Sequence, residues 1–439
     1  MQSDEAGEGG QYSRGYRRAA LLLLTLVYVF NFVDRQVLNI LAESIKQELA
    51  LSDTQLGIVT GLAFALFYSL LGIPIARFAE RADRPRLIAI AISVWSAFTI
   101  LCGFAGSFAQ MLICRLGVGV GEAGGVPPSH SLIAEFSPKA RRAVALAIFS
   151  TGLPLGSFIG LGFGGILGDL VGWRMTFVLA GVPGLLIALA VLLVLKEPRR
   201  SGEKVVAEGR EAFLPSLKAF LSKRTYRWTV AGGTLQAIVI YGTGAFLAPF
   251  FLRAHGPELS ALAAAAGLKA NGFLGLVFGV TVGLAGAAGT FMGGWLSDRA
   301  SRESLRSYVT VPAIAAWLSI PAFFLVLTAG SAIPGFLFLS IGNAMINAYL
   351  GPMHATCQGV AGASRRATVS AVTLVIINLF GLGIGPPLVG FLSDLGQSAY
   401  QLESKDALRN ALMVISCVSL LAGFAFWQAR RTIDAETIS

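Results

Sequence analysis

The sequence predicts an all-α membrane protein: twelve transmembrane helices in two six-helix bundles related by a pseudo-two-fold axis. Three observations carry this. Of the 439 residues, 55% are hydrophobic and only 13% are charged, with a mean hydropathy of +0.70. Such a composition is foreign to a soluble domain. Apolar runs of about 20 residues, each long enough to cross a bilayer, are centred near residues 30, 65, 97, 122, 155, 184, 240, 283, 318, 346, 379 and 418. Finally, the chain repeats itself. Pro128-Ser-His130 and Arg141-Arg-Ala143 return 224 residues later as Pro352-Met-His354 and Arg365-Arg-Ala367. Gly156, Gly160, Gly165 and Asp169 return at an offset of 225 as Gly381, Gly385, Gly390 and Asp394.

Taken in order, residues 1–16 are polar and read as a disordered tail. Residues 17–198 form the first bundle, 199–226 a basic linker with an amphipathic surface helix near Ala212–Ser222, 227–430 the second bundle, and 431–439 a short tail. The second span opens at Leu51-Ser-Asp-Thr-Gln55, where Ser52 and Gln55 have capping-box spacing. Cys102, Cys114, Cys357 and Cys417 all fall inside apolar runs and read as small buried residues. Trp95, Trp228 and Trp427 fit interfacial or lipid-facing anchors. Asp169 and Asp394 sit at outer span ends and read as solvated.

The net charge of +10 does not point to nucleic acid, because it is not spread as a patch. Most Lys and Arg fall in alternate loops: Arg14, Arg17 and Arg18; Arg77, Arg81, Arg84 and Arg86; Arg141 and Arg142; Lys196 to Arg227; Arg299, Arg302 and Arg306. This asymmetry places those loops and both termini in the cytoplasm. Short tails and tight loops suggest a multi-pass protein of a bacterial inner membrane, working as a monomer in the bilayer. No glycine-rich stretch follows a strand with phosphate-loop spacing, and no His, Cys or carboxylate cluster has metal-ligand spacing. No nucleophile–base set suggests an enzyme. Neither cofactor nor metal is expected.

The fourth span, Arg115-Leu-Gly-Val-Gly-Val-Gly-Glu-Ala-Gly-Gly-Val-Pro-Pro-Ser-His130, is the sharpest signal. Arg115 and Glu122 are two helical turns apart and share a face. Charges at membrane depth are expensive and usually face a bundle interior or a water-filled path. The first span adds Tyr28, Asn31, Asp34 and Arg35 on one arc. Asp34 and Arg35 are adjacent, so each needs a partner elsewhere. Asp34 and Glu122, with Arg115, are the candidates for proton coupling. Burial and a neighbouring guanidinium act on a carboxylate in opposite senses, so movement of Arg115 would switch proton affinity. Arg35 is the candidate for a substrate phosphate or carboxylate, with Asn31 and Tyr28 beside it. Gln236, Tyr241, Asn343, Asn347 and Asn378 are neutral polar candidates for the other cavity wall. A structural ion pair between the first and fourth helices is the bland alternative. Two like halves with a midplane site between them are the mark of an alternating-access transporter.

Gly294-Trp-Leu-Ser-Asp-Arg299, with its weaker copy ending in Glu80-Arg81, resembles the loop signature of the major facilitator superfamily. The Arg115 helix and the glycine-rich fifth span, Gly156/Gly160/Gly164/Gly165, resemble further motifs of that superfamily, although Leu161 stands where the antiporter version has Pro. Together these imply the major facilitator fold. They also imply that Glu80, Arg81, Asp298 and Arg299 are inner-gate residues holding the halves together. More narrowly, Asn31-Phe-Val-Asp-Arg35, Gly119-Val-Gly-Glu-Ala123, Pro128 and Leu132-Ile-Ala-Glu-Phe136 resemble the Spinster family. That resemblance implies a proton-driven or proton-gated carrier of lysophospholipids or sphingoid phosphates. The anion:cation symporters of the same superfamily share the Asp-Arg and Gly-Glu-Ala pairs, so a carrier of sugar acids is the alternative.

Overall fold

The computed structural model describes residues 12–79, 81–138, 141–198, 213–302, 304–362 and 365–437. The first span is α1 (Arg14–Ile40), started by the Ser13 hydroxyl, which accepts from the Tyr16 amide at 3.1 Å. The helix therefore begins inside the segment expected to be a disordered tail. Tyr12 and Tyr16 stack on each other and meet Phe136 edge-on, and that apolar contact orders residues 12–16. After α2 (Ala42–Glu48) the second span runs through α3 (Asp53–Gly57), a π-helical stretch at Ile58–Leu62 and α4 (Ala63–Ala79). Its start is the expected capping box of Ser52 and Gln55. The third span is α5 (Arg84–Cys102), capped by Asp83. The fourth is α6 (Phe108–Glu122) and α7 (Val126–Phe136). The fifth and sixth are α8 (Arg142–Ser150) and α9 (Gly152–Val194).

The linker contributes α10 (Phe213–Leu221). Its Phe220 is buried against Tyr226, and residues 224–226 already belong to the next helix. The second bundle starts with α11 (Arg224–Ala265), kinked at His255. The eighth span combines α12 (Ala270–Phe278), a second π-helical stretch at Gly279–Leu284 and α13 (Ala285–Ser301). Then follow α14 (Ser307–Thr328), α15 (Ala332–Asn347) with α16 (Leu350–Ala361), α17 (Arg366–Tyr400), α18 (Ser404–Ala429) and the short α19 (Ile433–Glu436). The tail expected from residue 431 folds back. Glu436 accepts from the amides of Arg224 and Thr225, and Asp434 pairs with Arg306 at 2.7 Å.

Ten segments are long and apolar enough to cross a membrane among the described residues. One of them, Val144–Val194, is two spans, because α9 breaks at Gly172, whose φ of 79° suits glycine alone. The fourth span is cut into pieces of 15 and 11 residues by a turn after Glu122. Counting both gives the expected twelve. Large apolar side chains such as Leu170 and Leu193 remain exposed, as a bilayer-facing surface requires.

The two π-helical stretches occupy matching places in the two bundles, and each lies where the bundles cross. Gly57 and Gly61 of the second span lie against the Pro386 region of α17. Gly283 of the eighth lies against Phe158 and Pro154 of α9. The apolar core is unevenly shared. At the face opposite the termini, hereafter the distal face, one cluster draws on both bundles: Val37, Ile40, Ile45 and Leu56 with Phe246, Phe250, Leu274 and Val389. Towards the termini the cores are separate, one built around Phe64, Trp95 and Phe149, the other around Tyr226, Met353 and Phe426. Trp95, expected as an interfacial anchor, is 2% exposed because the glycines of α6 leave room for it.

Candidate functional site: a buried charge cluster below a sealed distal face

Glycines bring the site together. A Cβ at Gly119 would meet the Phe64 carbonyl, and one at Gly121 would meet the Trp95 backbone. Without side chains there, α6 packs directly on α4 and α5. Arg115 and Glu122 thus lie in the bundle interior, 1% and 0% exposed. On α1, packing against Gly156 and Gly160 of α9 turns the opposite arc, Asn31, Asp34 and Arg35, towards them.

The pairing differs from the simplest expectation. Arg35, the candidate anion ligand, holds Glu122: Nε and Nη2 both donate to Oε2, at 2.9 and 2.5 Å, and Nη2 reaches Asn31 Oδ1 at 3.5 Å. The guanidinium also lies over three rings, Phe64 at 4.2 Å, Tyr68 at 4.9 Å and Phe32 at 5.1 Å. Asp34 accepts from the Thr99 hydroxyl through Oδ2 at 2.5 Å, while its Oδ1 is buried without a hydrogen bond to the described residues. The same holds for Glu122 Oε1, Arg115 Nε and Nη1, and Asn31 Nδ2. Arg115 faces Phe64 at 5.7 Å and lies within electrostatic range of Asp34 and Glu122. A purely structural ion pair satisfies its lone pairs and protons. This cluster leaves several unsatisfied, and its two cations have two carboxylates between which to choose.

On the other bundle, Tyr241 donates to Asn378 Oδ1 at 3.0 Å and comes within electrostatic range of Arg35. Gln236 is 1% exposed with neither amide atom hydrogen-bonded to the described residues. Asn343 and Asn347 instead donate back to carbonyls of their own helix, at 3.2 and 2.9 Å, with Thr290 of α13 on the Asn347 carbonyl. Tyr28 and Asn31 line a small cavity with Trp95, Ser129 and Phe149. Phe64, Tyr68 and Thr99 were not singled out from the sequence. The i, i+4 spacing of Phe64 and Tyr68 on the second span is the signal that could have found the first two.

The loop residues expected to join the bundles at the other end stay within their own halves here. Asp298 accepts from Tyr308 at 2.8 Å, Arg299 lies over Trp295 at 5.6 Å, and Arg81 is exposed. Glu80 lies outside the described residues. Among the described residues, the hydrogen bonds and ion pairs that join the bundles all belong to the distal face. Arg253 donates to Asp53 and Glu43, at 2.8 and 2.7 Å, and Lys46 also pairs with Asp53 at 2.6 Å. Ser393 and Gln397 add two more donors to Asp53. Asp169 and Asp394, expected to be solvated, cap helices of the opposite bundle. Asp394 accepts from the amides of Asp53 and Thr54 at the start of α3, at 3.0 and 2.8 Å. Asp169 accepts from the Gly272 amide at 2.6 Å and from Asn271 at 2.8 Å at the start of α12. Helix N-termini carry free N–H groups and partial positive charge, which is why these half-buried carboxylates settle there.

The Major Facilitator Superfamily model matches residues 24–386. An MFS-type efflux pump of Mycolicibacterium smegmatis is 31% identical over 439 residues, covering 96% of each chain. Protein spinster homolog 1 of Rattus norvegicus is 27% identical over 428 residues, covering 94% of this chain and 80% of its own. A bacterial homologue of the human lysosomal transporter Spinster, solved inward-facing and unoccupied, superposes with a TM-score of 0.86 at 29% identity, covering 98% of this chain and all of that one. Twelve helices in two like bundles, a central charge cluster and these relatives lead to one conclusion: the chain belongs to the major facilitator superfamily and is a membrane transporter of the Spinster type.

Proposed function

We propose that this transporter moves an amphipathic, lipid-like substrate with an anionic headgroup, a lysophospholipid or a sphingoid phosphate, by alternating access coupled to protons. The observation that carries the reading is the four-charge cluster of Asp34, Arg35, Arg115 and Glu122. With both carboxylates ionised its net charge is zero. One proton makes it +1, and an anionic headgroup restores neutrality. Proton and anion therefore favour each other's binding, reciprocally. In this account Glu122 takes the proton near neutral pH, and Asp34 is the other candidate. Arg115 re-pairs when either is neutralised, and Arg35 turns from Glu122 to the headgroup. Gln236, Tyr241 and Asn378 offer a neutral wall for the rest of the molecule. The seal at the distal face and the separate cores towards the termini support a state open on the side of the termini. The Lys- and Arg-rich loops on that side support cytoplasmic termini, which makes the state inward-facing; we read the protein as an inner-membrane monomer.

The test is proton flux into proteoliposomes carrying an internal pH dye, after adding lysophospholipid or sphingoid phosphate, with hexuronate in parallel. A lipid-dependent pH change that disappears in Glu122→Gln is the expected result. A response to hexuronate alone would sink the lipid reading and favour a small-anion symporter.

A further inference from the structure

The ligands that would distinguish one anion from another are the hydroxyls around Arg35. Its Nε and Nη2 hold Glu122, the side chain is 16% exposed, and Nη1 makes no hydrogen bond to the described residues, so Nη1 is the atom a headgroup meets first, before Arg35 turns from Glu122. Three phenols lie in the neighbourhood of this guanidinium, from three spans and both bundles: Tyr28 of α1, Tyr68 of α4, whose ring centroid is 4.9 Å from the Arg35 carbon, and Tyr241 of α11. Each lies within electrostatic range of Arg35 and of the other two. They are held differently. The Tyr241 hydroxyl is tied to Asn378 at 3.0 Å. The Tyr28 ring stacks on Phe149 at 4.7 Å, and the Tyr68 ring stacks on Phe64 at 5.1 Å. The hydroxyls of Tyr28 and Tyr68 make no hydrogen bond to the described residues, and both side chains are half-buried.

We infer that Tyr68 is a specificity-determining headgroup ligand, which with Tyr28 and the free edge of Arg35 seats a tetrahedral phosphate in preference to a carboxylate. The inference rests on the lipid-transport reading above and deepens it. A carboxylate offers two coplanar oxygens and can be matched by one guanidinium edge. A phosphate offers oxygens in several directions and needs donors that do not lie in one plane. Neutral phenols approaching from separate helices supply such donors without adding charge. Tyr68 is the informative member, because its ring is already fixed by Phe64 and by the guanidinium. Removing its hydroxyl alone leaves the packing of α4 and the Arg35–Glu122 pair in place.

The experiment uses the full-length protein in nanodiscs and two probes that share a chain, dodecyl phosphate and dodecanoate, titrated by calorimetry at neutral pH. In the unaltered protein dodecyl phosphate binds more tightly. Tyr68→Phe weakens dodecyl phosphate by about tenfold, the effect of one hydrogen bond to a charged group, and leaves dodecanoate within about twofold. Tyr28→Phe shows the same selectivity and guards against a folding artefact in the first variant. Unchanged phosphate affinity in Tyr68→Phe, or equal losses for both probes, overturns the inference while the transport reading stands. If the unaltered protein binds neither probe, the lipid reading fails, and this inference fails with it.

Discussion

Arg35 holds Glu122 by one edge and is sandwiched by rings on its faces, so its position depends on a charge that a proton can remove. Glu122→Gln deletes that charge and keeps a hydrogen-bond acceptor. Binding of an anionic amphiphile to this variant should tighten by about tenfold at neutral pH. It should also lose its dependence on pH, as read by calorimetry across the neutral range. Affinity that still rises on acidification would move the proton to Asp34, whose Asn variant is the control. A second residue makes a pH prediction at the distal surface. Glu48 accepts from the Trp173 indole at 2.6 Å and from Arg174 at 2.8 Å, and the indole bond chiefly holds its carboxyl below the usual range. A depressed carboxylate contributes stability that is present above its unfolded pKa and lost as pH falls through the folded one. Acidification through and below the ordinary glutamate range should therefore release the indole. Tryptophan emission should follow that change, and Glu48→Gln should remove it. Asp34, Arg35, Arg115 and Glu122 were legible in the sequence because charge inside an apolar run stands out. Phe64, Tyr68 and Thr99 were not, because aromatic and hydroxyl residues in a membrane helix are ordinary until a partner faces them.

At the level of elements, the distal seal has a twofold logic. Asp169 at the end of the fifth span caps the eighth, and Asp394 at the end of the eleventh caps the second. Each removal, Asp169→Ala or Asp394→Ala, should weaken distal closure by about 1 kcal/mol, as for other helix caps. The two are independent, so the double variant should lose about 2 kcal/mol, close to a thirtyfold shift towards distal opening. Spin-label distances between the loops at 49–52 and 401–403 would report it, and additivity that fails badly would argue against two separate latches. Asp53→Ala is the severe case. It takes from Lys46 its partner and leaves Arg253 with Glu43 alone, a loss approaching the ~3–5 kcal/mol of other broken buried pairs. Close approach matters as much as charge. A side chain at Gly165 would run into the Asn271 carbonyl across the bundle interface. Gly165→Val should hold the distal face open by the same spin-label measurement. The glycines, the repeat and the capping box were readable as patterns. Which helix each Asp caps was not, because that partner lies more than a hundred residues away in the chain.

On the scale of the whole molecule, the two bundles share one apolar core at the distal face and keep separate cores towards the termini. The C-terminal residues act on the second of these. Glu436 caps the start of α11, Asp434 pairs with Arg306, and Thr432 bonds Thr225 at 2.7 Å. Truncation after Arg431 should lower the melting midpoint by a few degrees, the effect of losing about 1–2 kcal/mol of caps and pairs. Transport, by contrast, should persist, since nothing in α19 reaches the charge cluster. By itself the sequence determined the span count, the pseudo-symmetric halves and the four membrane-embedded charges. Hydropathy, repeat offset and charge in an apolar run are local properties that one dimension displays. Only the tertiary structure decided that Arg35 pairs with Glu122, that Asp34 turns to Thr99, and that Asp169 and Asp394 latch the distal face. Those outcomes depend on how closely glycine-lined helices approach, and on which end of the molecule is closed. The sequence holds charged and glycine-rich segments at both ends of the bundles, so the packed structure alone says which end is closed.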